Sequence, residues 1–342
     1  MAQAFDVSRL EPIGDAMPVA ERLGLPASGH GRFSASGAGV LAYRANETFF
    51  TELRWFDRRG TPREAVGPES TYINPSLSPD GTRLMVGRRD RDQATFDLWL
   101  FDLARKVSSR FTFDAGTEWL PFWSTDGKYI AYTMDRGSGK HDVYRRQANG
   151  AGNDELVFAS ETNKLLTDWT SDGRFLVFDE NTGDAFDLAY VDLSGDRKGL
   201  SYLKTSFNEQ NGHVSPDGRW MAYASDESGR FEIYVRPFPN AQGGKWQVSS
   251  EGGTDPQWRH DGKELFYFSG DDRLMAVAVG ADASGFTAGK TEPLFSQAAR
   301  TANRTNYAVT ADGQRFLINR VVQAANDAGI TVVLNWPQSL QR

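Results

Sequence analysis

The sequence predicts an all-β chain, a seven-bladed β-propeller of four-stranded antiparallel blades, and three observations carry that expectation. A Ser-Pro-Asp-Gly type of turn recurs at near-constant spacing, short alternating apolar runs follow each copy, and 34 glycines suit a fold made mostly of hairpins. The turn is Ser78-Pro79-Asp80-Gly81, Ser124-Thr125-Asp126-Gly127, Thr170-Ser171-Asp172-Gly173 and Ser215-Pro216-Asp217-Gly218. Weaker copies stand at Arg259-His260-Asp261-Gly262 and Thr310-Ala311-Asp312-Gly313, with a degenerate first copy at Ser34-Ala35-Ser36-Gly37. The closing glycines are 44, 46, 46, 45, 44 and 51 residues apart. Strand-rich periods in the forties mark a propeller or a related array. Because the first copy is degenerate, six or eight blades are the alternatives.

One period shows why the strands form. Asn74-Pro75-Ser76-Leu77-Ser78 is an extended run entering a turn. There proline presets φ, aspartate bonds its own backbone, and glycine takes the left-handed conformation that closes a bulged hairpin. Arg83–Gly87, Phe96–Phe101 and Ser109–Phe113 supply the second, third and fourth strands. The same pattern gives second strands at Tyr129–Tyr132, Phe175–Phe178, Trp220–Tyr223, Leu265–Phe268 and Phe316–Asn319. Third strands often open on an acidic residue, as in Asp142-Val143-Tyr144, Asp187-Leu188 and Glu232-Ile233-Tyr234, and their aromatic rings are expected in the cores between blades. Repeats are expected to begin near residues 30, 74, 120, 166, 211, 255 and 306 of a single domain, 1–342. Residues 1–29 hold two strand-like pieces, Met1–Phe5 and Pro18–Glu21, expected to complete the last blade and leave no open edge.

Composition narrows the function. A net charge of −7 with scattered basic residues offers no face to neutralise phosphates, so nucleic acid is not an expected partner. The absence of cysteine excludes disulfides and thiolate metal sites. No apolar run approaches the roughly 18 residues needed to span a bilayer, and the first residues lack the pattern of a signal peptide. The chain is expected to be soluble as given and, as a closed ring, monomeric.

Ser78-Pro79-Asp80-Gly81 and its copies, with the Asp-Ile-Tyr-like triplets, resemble the TolB-type, WD40-like propeller repeat. Three stretches (Ser215–Arg230, Arg259–Tyr267 and Ile330–Trp336) resemble more closely the C-terminal propeller of bacterial, especially acidobacterial, serine/threonine protein kinases. That resemblance implies a sensing or binding propeller outside the cytoplasm, on the periplasmic or extracellular side, attached to a kinase through a membrane span. This chain has no Gly-rich nucleotide loop, His-Arg-Asp loop or Asp-Phe-Gly, so phosphoryl transfer is excluded. Its opening, Met1-Ala2-Gln3, reads as an internal start, and a piece of a larger protein is expected.

The repeat alignment also proposes a site. Seven positions before each turn glycine stand His30, Asn74, Leu120, Leu166, Asn211, Asp255 and Asn306, on strands expected to converge about a central tunnel. Five of the seven are His, Asn or Asp, donors that a hard or borderline cation accepts. Two readings stay open: a polar lining of a water-filled tunnel, or one divalent metal (calcium, zinc or manganese) held by Asn74, Asn211, Asp255 and Asn306, with Glu118 within reach. The second arrangement is similar to calcium-dependent propeller hydrolases of the paraoxonase and gluconolactonase kind. His30 or His213 would then act as base in hydrolysis of an ester, lactone or phosphotriester. The turn aspartates Asp80, Asp126, Asp172, Asp217, Asp261 and Asp312 are expected to be structural. Function thus lies between a module binding a peptide, protein or small molecule on the tunnel face and a metal-dependent hydrolase.

Overall fold

The computed structural model describes residues 2–6, 8–17, 33–43, 50–90, 93, 95–135, 139–183, 185–282, 285–296, 305–323 and 330–336. All regular structure longer than a single turn among them is β-strand, and no helix there is long and apolar enough to cross a membrane. Contacts divide the chain into two units, Thr51–Val321 and a smaller one made of Met1–Phe50 with Val322–Arg342.

The larger unit carries six four-stranded antiparallel blades. Blade one takes its inner strands from the end of the chain, Tyr307–Val309 and Arg315–Gln323. Its outer strands come from near the beginning, Phe50–Asp57 and the first part of Pro62–Leu77. The long strand Pro62–Leu77 then becomes the inner strand of blade two, followed by Arg83–Arg89, Asp97–Asp102 and Val107–Arg110. Blade three is Thr117–Trp123, Tyr129–Asp135, His141–Gln147 and Glu155–Phe158, and blade four is Asn163–Trp169, Phe175–Asn181, Phe186–Asp192 and Gly199–Leu203. Blade five is Glu209–Val214, Trp220–Ser225, Glu232–Pro237 and Trp246–Gln247. Blade six is Thr254–Trp258, Glu264–Phe268, Arg273–Asp282 and Gly285–Ser296.

Six apolar cores lie between successive blades and close the circle. Leu84, Val86 and Phe101 of blade two pack on Leu53, Trp55 and Leu317 of blade one. Met85 and Leu98 meet Ile130 and Tyr132 of blade three, and Ala131 and Val143 meet Leu176 and Phe178 of blade four. Val177 and Leu188 meet Met221 and Tyr223 of blade five, and Ile233 and Val235 meet Leu265 and Val277 of blade six. Phe266 and Phe268 finally meet Tyr307, Phe316 and Phe56 of blade one. The second strands of blades two to six are buried along most of their length because neighbouring blades cover them on both sides, whereas outer strands such as Val107–Arg110 are exposed.

Two expectations are corrected. The described residues hold six blades rather than seven. Phe33–Ala35, at the degenerate first turn, pairs with Val40–Tyr43, which pairs in turn with Thr331–Leu334 in a three-stranded sheet of the smaller unit. The last blade is completed by Phe50–Asp57 and Pro62–Leu77, and neither Ala2–Asp6 nor Glu11–Met17 belongs to its sheet. Ala2–Asp6 instead pairs with Glu11–Met17 in a two-stranded sheet, and Pro18–Glu21 lies outside the described residues.

The turns behave as their chemistry dictates. In the second, Asp126 accepts from the Ser124 hydroxyl (2.7 Å) and the Lys128 N–H (3.0 Å), while Gly127 sits at φ 66°. Asp80, Asp172, Asp217 and Asp312 accept from Ser78, Thr170, Ser215 and Thr310, each at 2.6 Å. Asp261 pairs instead with the Arg259 guanidinium, at 2.7 Å. These carboxylates are committed to turn structure within their own hairpins.

Candidate functional site

The inner strands carry the site, and a local irregularity sets which residues face it. Pairing slips between Ile73 and Ser76, Trp119 and Phe122, Leu166 and Asp168, Gln210 and His213, and Thr254 and Gln257. These are β-bulges, which re-aim the side chains beyond them. Asn74, Leu120, Asn211 and Asp255 occupy the bulges in the left-handed region, at φ 53–56°. Asn and Asp tolerate that conformation, whereas Leu120 bears a strain of about 1 kcal/mol.

The positions seven residues before the turn glycines are therefore buried. Asn74, Leu120, Leu166, Asn211, Asp255 and Asn306 are each at most 5 % exposed. Three of the predicted ligands are brought together: Asn211 Nδ2 donates to Asp255 Oδ1 at 2.9 Å and Asn306 Nδ2 donates to Asp255 Oδ2 at 3.1 Å. The Asn211 N–H is received by the Asp179 carboxylate at 3.0 Å, and the Tyr307 hydroxyl donates to the Asp255 carbonyl, also at 3.0 Å. The network ties blades four, five, six and one together at their inner strands. Asn74 is buried on the inner strand of blade two. His30 lies outside the described residues.

Glu118 does not join that network. It accepts from the Thr112 hydroxyl at 2.9 Å, its Oε1 is buried without a partner, and Asp97, Asp114 and Asp154 are its charged neighbours. Burial pushes its carboxyl up to about 7, against an ordinary value of 4.5. The folded state thus holds this proton more tightly than the unfolded chain does, and the corresponding stability is lost as pH rises from 4.5 through 7. Glu118→Gln keeps an acceptor for Thr112 and removes the charge. It is expected to raise the melting temperature at pH 8 and leave it nearly unchanged at pH 4.5; equal shifts at both pH values would show that the charge is not the cause. Among the described residues, no three His, Cys, Asp or Glu side chains are placed to hold a metal ion together.

The open space lies two residues further along each inner strand. A cavity of about 580 Å³ on the propeller axis is lined by residues of all six blades. Five positions before the turn glycines, one residue per blade forms a ring around it: Ser76, Phe122, Asp168, His213, Gln257 and Ala308. Sequence reading singled out His213 but missed Asp168, because seven residues back is where the polar types cluster. An offset scan demanding one position from every repeat would have exposed the second ring.

Asp168 and His213, on adjacent blades, set the cavity's electrostatics. Asp168 accepts the N–H of Trp169 (2.9 Å) and of Val214 (2.8 Å), and its Oδ1 stands 3.9 Å from His213 Nδ1, too far for a hydrogen bond. Burial pushes the Asp168 carboxyl up to about 7 although both strand N–H groups oppose it, and burial alone pushes His213 down to about 4. The imidazole is therefore neutral at physiological pH beside a carboxyl that changes charge near neutrality. Phe122 flanks His213 with ring centroids 6.1 Å apart, and Trp258 Nε1 donates to the His213 carbonyl at 2.9 Å.

Comparison with known proteins agrees with this architecture. The TolB beta propeller domain family matches residues 32–219, more than half of the chain. A candidate TolB from Agrobacterium tumefaciens superposes with a TM-score of 0.64 at 19% identity, over 80% of this chain and 99% of that one. An oligogalacturonate lyase in complex with manganese gives 0.53 at 16% identity, over 86% and 84%. In sequence, the uncharacterized peptidase YuxL of Bacillus subtilis (strain 168) is 21% identical over 213 residues, 48% of this chain and 32% of that protein. The chain thus spans about a third of the length of that relative, and at these identities the solved structures speak for the fold alone. By its repeats, its blade construction and the match over residues 32–219, the chain belongs to the TolB beta propeller domain family.

Proposed function

We propose that this propeller is a recognition domain that takes an extended segment of a protein or peptide into its axial cavity. The observation that supports this most is the cavity itself, about 580 Å³, bordered by all six blades and lined by a mixture of apolar and hydrogen-bonding side chains. A ring of blades joined by six packed cores holds such residues rigidly, so little ordering is lost on binding. Within a larger protein of the kind its kinase-linked resemblance implies, such a domain would report a ligand on the periplasmic or extracellular side.

The test is selection of peptides on the purified chain, followed by titration against Ser76→Trp, which fills the cavity from a partly exposed ring position. Selected peptides are expected to lose binding to the variant while its melting temperature stays put. Peptides that bind both proteins equally would place recognition elsewhere.

A second reading, a metal-dependent hydrolase of esters, lactones or phosphotriesters, is favoured by Asp168 and His213 standing 3.9 Å apart in the same cavity. Elemental mass spectrometry of protein purified without added metal separates the two. Near one divalent ion per chain, lost in Asp255→Ala and accompanied by turnover that His213→Gln abolishes, supports hydrolysis. A metal-free chain whose melting temperature ignores divalent ions removes that reading.

A further inference from the structure

Among the charged side chains that line the axial cavity, carboxylates outnumber fixed cations. Asp168 belongs to the inner ring, and Asp80 and Asp312 stand where their hairpins turn. The fixed cation is Arg315, whose guanidinium lies over the Trp55 ring at 5.0 Å, and His213 and His260 complete the titratable groups. Asp80 is held down at about 2 by the Ser78 hydroxyl and by the Thr82 N–H and hydroxyl. Asp312 is held below the usual carboxylate range by Thr310 and the Gln314 N–H. Both turn carboxylates are therefore ionised at any physiological pH.

Asp168 differs from them in what surrounds it. Its side chain is 17 % exposed, and each oxygen accepts one strand N–H, which leaves lone pairs on both. Among the described residues no Lys or Arg lies within ion-pair distance of it, and the nearest titratable group is the His213 imidazole, 3.9 Å away. A carboxylate so placed carries a desolvation cost that a cation entering the cavity would offset. Phe122 lies in the same ring and Trp258 lines the same wall, surfaces against which an alkyl stem packs and a cation is attracted to the ring face.

Resting on the recognition reading above, we infer that the segment bound in the axial cavity presents a lysine or arginine side chain, and that Asp168 receives its charge. The turn carboxylates Asp80 and Asp312 line the same cavity and, with Asp168, outnumber its fixed cation Arg315, so they add to the field that draws the cation in.

The experiment uses the full chain and four pools of blocked pentapeptides with randomised flanks and a fixed central Lys, Arg, norleucine or Glu, titrated at pH 8. The Lys and Arg pools are expected to bind about tenfold more tightly than the norleucine pool, the Glu pool more weakly still, and added salt to narrow the difference. Asp168→Asn, with folding checked by near-ultraviolet circular dichroism, is expected to bring Lys and norleucine within about twofold of each other. Equal binding of the Lys and norleucine pools to the native chain would overturn the inference, a result that needs no variant. So would a Lys preference that survives in folded Asp168→Asn. In both cases peptide binding persists and the recognition reading stands. Failure of every pool to bind overturns the recognition reading itself, and this inference with it.

Discussion

Replacing Phe316 by alanine is expected to cost about 3–5 kcal/mol of unfolding free energy, measured by urea denaturation. The ring is fully buried and meets Phe266 edge-on at 5.1 Å and Phe295 at 5.9 Å. Its cluster also holds Phe56, Phe268, Tyr307 and Ile318, so removing it hollows the seam between blades six and one. That seam matters more than its area suggests. Blade one is the only place among the six where strands from the two ends of the repeat array share a sheet, and nothing covalent closes the circle there. A cost below about 1 kcal/mol would mean that the site collapses around the gap and that closure lies elsewhere. A transition that splits in two would show that blade one separates before the rest.

Asp255→Ala is expected to cost a similar amount, about 3–5 kcal/mol, for a different reason. The Asn211 and Asn306 amides, each at most 4 % exposed, both donate to this carboxylate, and alanine would leave both donors without it in a dry environment. Residue 255 also sits at φ 54°, where alanine adds about 1 kcal/mol of backbone strain. Asp255→Asn retains an acceptor and tolerates the left-handed conformation, so about 1–2 kcal/mol is expected. Equal losses in the two variants would show that the second acceptor oxygen, which asparagine also lacks, carries the effect, and that backbone strain does not. If a divalent ion were bound through Asp255, Asp255→Ala would also abolish any rise in melting temperature produced by that ion, which keeps the structural and metal-binding roles separable.

The candidate site was half legible in the sequence. Repeat alignment placed Asn211, Asp255 and Asn306 at equivalent positions, and they do share one network, because equivalent positions on inner strands approach one another around an axis. The same alignment could not tell a buried ring from an open one. The bulges at Asn74, Leu120, Asn211 and Asp255 insert a residue into each inner strand, so counting by alternation from the turn loses its phase. Asp168 was passed over because the polar residue types cluster seven positions before the turn glycines and the ring was chosen there. Glu118 was named because it is near in sequence, yet its side chain turns to Thr112 and a neighbouring group of acids.

The sequence by itself determined the all-β class, the four-stranded repeat and the turn chemistry. Those depend on residues a few positions apart, as when Ser124, Asp126 and Gly127 close their own hairpin. Blade number and closure were decided by tertiary structure. Arg320 reaches Glu52 across 268 residues, and the Asn319 amide reaches the Tyr72 carbonyl across 247. No local pattern encodes such pairings. They form because a ring of twisted sheets must bury the last inner pair against whichever outer strands lie within reach, and here Phe50–Asp57 and Pro62–Leu77 supply them.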